Sequence, residues 1–130
     1  MVHPLSVEDR LDIGELLARY GHIVDEQEWH RAGELFTDDC VYDMTDFDMG
    51  IAIGTDAVVE MWTGPTAKHP LAHHATNVVI TDDDGVIRVI SKGIGVGRGG
   101  RVGSVTYYDV VAKTEQGWRF TQRSGILRRP

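Results

Sequence analysis

The sequence predicts an α+β domain: three N-terminal helices packed on one face of a strongly curved, mostly antiparallel sheet, with an interior pocket open at one end. Three observations predict it. The first half of the chain carries apolar residues at helical spacing. The second half carries four long runs rich in Val, Ile, Thr, Tyr and Phe, separated by short turns bearing Gly or Asp, the mark of hairpins. Helical segments come before the strands rather than alternating with them, which points away from a parallel α/β sheet.

The elements follow in order. Ser6 opens a capping-box pattern, SVED, with Asp9 three residues on. Ile13, Leu16, Leu17, Tyr20 and Val24 then describe one face of a helix running to about Asp25. DEQEW interrupts that pattern. WHRAGELF reads as a second short helix with Trp29, Ala32, Leu35 and Phe36 on one side, ended by TDD. CVYDM reads as a short strand and MGIAIG as a further extended segment. Thr55 can cap a third helix, DAVVEMW, which closes near Gly64 and Pro65. Residues 72–81, 86–96, 102–114 and 118–128 form an antiparallel meander that turns at DDDG, GRGG and EQG. The glycines between 93 and 103 suit either bends in long strands or a loose hairpin tip.

A chain of 130 residues fits a single domain, 1–130, with enough length to bury a core without disulfides. Hydrophobic residues make up 42% and charged residues 25%, ordinary values for a globular protein. No apolar run reaches the length of a membrane span. The opening MVHPLSVEDRL lacks the basic flank and apolar core of a secretory signal. Cys40 is the only cysteine, so no intrachain disulfide forms and a reducing cytoplasm is the expected compartment. A net charge of −7 disfavours a nucleic-acid partner, and the basic RSGILRR near the C-terminus is too short to reverse that.

The titratable candidates are Asp25, Asp43, His22, His73 and His74. Asp25 sits where the apolar face of the first helix runs out, and pattern alone makes it a solvated acid at a helix end. In LAHHATNVVI the two histidines must face opposite sides of a strand, because side chains alternate. His73 then goes with Ala75, Asn77 and Val79, and His74 with Thr76, Val78 and Ile80, so one of the pair at most lines a pocket. A metal site built on His69, His73 and His74 is opposed by Pro70, which breaks the helix that would put His69 and His73 on one face. No HExxH motif or cysteine cluster supports one. GIGVGRGG lies between strands and not ahead of a helix, so it does not read as a phosphate loop. Tyr20, Tyr42, Tyr107 and Tyr108 are the remaining polar handles, and Met44, Met61, Trp62 and Ile94 are candidates for an apolar lining.

The segments IGELLARYGHIVDEQEWHRAGELFTDDCVYD, GTDAVVEMW, HHATNVVI and YYDVVAKTEQGWRFTQRSGIL, in this order, resemble the SnoaL-like branch of the nuclear transport factor 2-like superfamily. The resemblance spans nearly the whole chain. It implies a cone-shaped α+β barrel with an interior pocket, in a superfamily that includes polyketide cyclases, scytalone dehydratase, a bile-acid dehydratase, hexachlorocyclohexane dehydrochlorinase and non-catalytic proteins. Fold therefore does not fix function. By resemblance to the dehydratase and dehydrochlorinase members, Asp25 and His73 match an acid–histidine pair, His73 standing in an HxxxN frame with Asn77. Tyr20 matches a tyrosine five positions before the acid of the bile-acid enzyme. The strand that brings a tyrosine into the scytalone pocket carries Tyr42 and Met44 here, with Met44 at the matching position. A second pocket histidine of that enzyme is absent, the strand reading KGIGV.

The resemblance implies catalytic Asp25, His73 and Tyr20 and a substrate pocket drawn from Tyr42, Met44, Trp62, Asn77, Ile94 and Tyr107. The expected activity is a cofactor-independent elimination on a small hydrophobic cyclic molecule, with Asp25 orienting His73 as general base. Isomerisation or aldol-type cyclisation by the same pair, and a non-catalytic ligand-binding role, are the alternatives. No metal or cofactor, no nucleic acid and no membrane is expected as a partner. The sheet carries more apolar surface than one helical layer covers, so a homodimer or homotrimer is expected.

Overall fold

A computed structural model describes residues 4–130. Met1–His3, where the stretch read above for a signal sequence begins, lie outside the described residues. Helix α1, Val7–Asp25, starts on the expected capping box. Ser6 Oγ accepts from the Asp9 N–H at 2.9 Å, and Asp9 Oδ2 accepts from the Ser6 N–H at 3.2 Å. Its buried stripe holds Ile13, Leu16, Leu17, Tyr20, Gly21, Ile23 and Val24.

The second helix is a single 3₁₀ segment, Trp29–Glu34, and TDD does not end it. Those three residues already belong to strand β1, Phe36–Met44. Sheet hydrogen bonding overrides helical spacing here. The Phe120 N–H donates to Leu35 O at 2.7 Å, and Phe36 lies opposite Phe120. Strand β2, Gly50–Ile53, pairs antiparallel with β1. Helix α2, Thr55–Thr63, has Gly54 and not Thr55 at its N-cap. The Thr55 hydroxyl donates instead to Thr37 O at 3.2 Å, tying the helix to β1.

The expected meander is strands β3, Ala72–Asp83, β4, Val86–Val96, β5, Val102–Thr114, and β6, Gly117–Leu127. The six strands lie in the order β2-β1-β6-β5-β4-β3. All neighbours are antiparallel except β1 and β6. The three helices pack on the inner face of this sheet, where Phe36, Val89, Val111 and Phe120 meet the buried stripe of α1. No helix among the described residues is long and apolar enough to cross a membrane.

Two irregularities set which side chains face inward. In β3 the register slips between Thr76 and Val79, and Asn77 takes a left-handed conformation with φ 56°. In the pairing of β5 with β6, Val110 lies opposite Gln122 while Val111 lies opposite Phe120, so Thr121 is an extra residue. Such a bulge resets the alternation of side chains. Phe120 and Arg123, three apart, are consequently both buried while Gln122 is exposed.

Candidate active site

Gly21 lies in the middle of α1, and a Cβ there would stand 3.1 Å from the His73 carbonyl oxygen. Its bare backbone lets the last turns of α1 press directly on the first residues of β3. One helical turn later, Asp25 projects from the same face. The His73 backbone N–H donates to Asp25 Oδ2 at 2.9 Å, and His73 Nδ1 lies 2.5 Å from Asp25 Oδ1. Both oxygens of one carboxylate thus hold one residue. The pair is largely buried, with side-chain exposures of 16% for His73 and 14% for Asp25. Burial pulls the His73 pKa below its ordinary value of 6.5, outweighing the opposing hydrogen bond and charge of Asp25.

His73 lines a cavity of about 540 Å³ together with Tyr20, Tyr42, Met44, Trp62 and Tyr107. That volume suits a small organic guest. Gly93 helps to shape it: a Cβ there would fall 2.6 Å from Tyr107 Cε2, so only glycine admits the ring across the strand. The deep end is a cluster of aromatic edges, with Tyr20 packed against Phe36, Trp62, His73, Tyr107 and Phe120.

Three polar atoms interrupt the apolar deep end. The Tyr20 and Tyr42 hydroxyls are 2.5 Å apart, and the Trp62 indole N–H donates to the Tyr42 oxygen at 3.1 Å. The hydrogens can be counted. The two hydroxyls carry two, one lies between them, and Trp62 only donates. One hydroxyl hydrogen therefore remains for a guest. Burial pushes Tyr42 up to about 12 and Tyr20 well above its ordinary 10, so both stay protonated and serve as donors.

Beneath this floor lies Arg123, fully buried. Its guanidinium carbon stands 3.6 Å from the Tyr107 ring centre and 4.2 Å from that of Tyr20, a cation–π arrangement. Its Nη1 donates to Asp109 Oδ2 at 2.8 Å. Arg123 Nε, Asp109 Oδ1 and Ser91 Oγ have no partner among the described residues. Arg123 was not among the residues expected from the sequence, because period-2 spacing from Trp118 and Phe120 points to Gln122. Only the extra residue at Thr121 brings the arginine inside.

Two expected lining residues lie elsewhere. Asn77 is exposed at the bulge, whose slip removes it from the face that His73 shares. Ile94 is 36% exposed, since Gly93 and Gly95 on either side of it take the cavity-facing positions of β4. Met61 packs against the core outside the wall. His74 is exposed, as alternation requires. His69 does line the cavity, with Nε2 2.8 Å from Trp62 O. Among the described residues, no three His, Cys, Asp or Glu converge on a point. Asp43 faces away from the site and accepts from the Thr45 hydroxyl at 2.6 Å, and His22 is exposed.

No curated protein sequence matches the chain. Solved structures do. A Novosphingobium aromaticivorans protein proposed to be an aromatic ring hydroxylase is 30% identical, with 98% of this chain and 94% of that one covered and a TM-score of 0.78. The hexachlorocyclohexane dehydrochlorinase of Novosphingobium barchaimii LL02 is 17% identical over 95% of this chain and 92% of its own, with a TM-score of 0.76. A proposed scytalone dehydratase of Novosphingobium aromaticivorans DSM 12444 is 20% identical over 95% and 89%, with a TM-score of 0.70. At that identity the last two show a common fold. Residues 5–124 match the SnoaL-like domain family, and the chain belongs to it.

Proposed function

We propose that the protein is a cofactor-independent lyase. It would eliminate water or another small leaving group from a small hydrophobic cyclic molecule, with His73 as general base and Asp25 as the residue that positions it. The observation that carries this reading is the two-point hold of the Asp25 carboxylate on His73 at the wall of an aromatic cavity.

With Nδ1–H donated to Asp25, the lone pair of neutral His73 is on Nε2. Nε2 takes a proton from a substrate carbon. The freed electron pair forms the new C=C bond, directly or through an enolate, and the leaving group departs from the neighbouring carbon. Asp25 stabilises the imidazolium that results. The spare hydrogen of the Tyr20–Tyr42 pair donates to the oxygen on which negative charge develops, and Arg123 behind the rings adds positive potential. The lowered pKa keeps the base unprotonated at neutral pH. Isomerisation or aldol-type cyclisation would share the first step, and the same hydroxyl donor would serve its enolate.

The test is a panel of hydroxylated and halogenated cyclic carbonyl compounds, followed by the absorbance of the new conjugated product. His73→Ala is expected to lower kcat/KM by roughly 10²–10⁴-fold, the usual contribution of a positioned base. Turnover that survives this substitution undamaged would remove the assignment.

We also propose that the chain assembles as a homodimer or homotrimer through the outer face of the sheet. Val79, Ile90 and Tyr108 lie opposite one another across β3, β4 and β5 and are 60%, 47% and 50% exposed. A row of this kind usually marks a contact surface. Light scattering at micromolar concentration should give two or three times the chain mass, and Ile90→Asp should shift it toward one. A wild-type monomer would count against assembly.

A further inference from the structure

The cavity is lined unevenly in charge. The chain has 20 Asp and Glu against 13 Lys and Arg, yet the wall contains no carboxylate and three of the cations, Lys68, Arg98 and Arg101.

Their placement is as uneven as their sign. Lys68, Arg98 and Arg101 are exposed, while Tyr20, Tyr42, Trp62 and Tyr107 are buried. The cations therefore occupy the outer end and the aromatic rings the deep end. Two segments carry them. Lys68 stands in the connection from α2 to β3, and Arg98 and Arg101 stand at the hairpin tip between β4 and β5. The segments are joined where the Leu71 N–H donates to Val96 O at 2.8 Å. Acids flank other wall segments: Asp25 is engaged with His73, Asp43 with Thr45, and Asp46 lies at the turn by Phe47. There Asp46 is neutralised by Arg129 at 2.9 Å, and Asp48 is not part of the wall.

We infer that the natural substrate is an amphiphilic anion, an apolar ring body bearing a carboxylate or a phosphate. The body enters the aromatic end while the anionic group stays at the mouth with Lys68, Arg98 and Arg101. An apolar substrate without charge gives three cations at the mouth nothing to bind. Charge at the mouth also raises the encounter rate of an anion with a protein that otherwise repels it. The inference deepens the lyase reading by naming the kind of molecule, and it rests on the same cavity.

The test uses binding, so it does not depend on turnover. Three matched probes, 2-naphthoate, 2-naphthyl phosphate and neutral 2-naphthamide, are titrated calorimetrically into the wild-type protein. At least one anion should bind roughly tenfold more tightly than the amide at low salt, the sum expected of a few exposed charge contacts, and the advantage should shrink as salt rises. Which anion leads tells a carboxylate from a phosphate. The triple variant Lys68→Gln, Arg98→Gln, Arg101→Gln should lose the preference, and its affinity for the amide reports that the cavity persists. His73→Ala should keep the preference, so a wrong base and a wrong substrate class give different results. Wild-type protein that binds the amide as well as either anion, or binds none of the three, overturns the inference. So does a preference that ignores salt or survives in the triple variant.

Discussion

Two carboxylate–cation-type pairs among the described residues are largely buried on both sides, and they differ in every respect that matters for chemistry. Asp25 and His73 meet between a helix end and a strand start, beside a cavity, and each Asp25 oxygen has a partner. Asp109 and Arg123 meet across two neighbouring strands, with side-chain exposures of 0% and 1%, and each keeps an atom with no partner. The first pair joins an imidazole, able to take up and release a proton, to an acid that orients it. The second joins an acid to a cation that never loses its proton. Reactivity needs a proton-exchanging group at the aromatic cavity, and only the first pair places one in its wall. The second supplies a fixed charge beneath the aromatic floor, and the cost of keeping it there falls on stability.

The largest effects should separate the pairs by observable. Asp25→Asn keeps the shape of the carboxylate and removes the charge that favours imidazolium. Activity should drop by roughly 10²–10⁴-fold while the unfolding midpoint in denaturant changes little. Asp109→Ala should do the reverse in kind. It strands a buried guanidinium, which typically costs about 3–5 kcal/mol of stability, read from urea denaturation. A variant at Asp25 that unfolds as readily as one at Asp109 would erase the distinction.

A smaller effect distinguishes them by sign. Burial pushes Asp109 up to about 7, against an ordinary 3.8, with Arg123 holding back a further rise. The native state then binds more protons than the unfolded chain between these values, so the contribution of Asp109 is lost as pH rises from about 4 to about 7. His73 is shifted the other way. Its native pKa lies below 6.5, so its contribution is lost as pH falls through 6.5 toward the native value. Stability differences between wild type and Asp109→Asn, and between wild type and His73→Gln, should thus slope oppositely with pH. Parallel slopes would mean that the two sites share one environment. The acid limb of kcat/KM should also lie below 6.5.

The place of each member of the first pair in its own element was legible locally, while their meeting across the fold was implied only by the family resemblance. Ser6 fixes where α1 begins, the apolar stripe places Asp25 at its end, and strict alternation sends His73 and His74 to opposite faces. Asn77 failed for the same reason that Arg123 was missed. A bulge changes the phase of a strand, and nothing in ATNVV or FTQRS marks the extra residue. In KGIGV, glycines rather than the isoleucine took the inner positions, because the Tyr107 ring needs the space. The parallel pairing of β1 with β6 joins residues about 80 apart, such as Phe36 and Phe120, and no local pattern encodes it. Even the helix-like spacing of WHRAGELF yielded at Leu35 and Phe36 to that distant strand.

The grip of Asp25 on His73 has a thermodynamic consequence. One oxygen holds the backbone of the residue and the other its ring, so neither the strand nor the imidazole is free to turn alone. The rotational entropy of the base is surrendered once, when α1 docks on β3, and not again at each encounter with substrate. A guest that enters the cavity meets a ring already aimed. The binding energy of its apolar body is then left for drawing the reacting carbon close, whatever that body is.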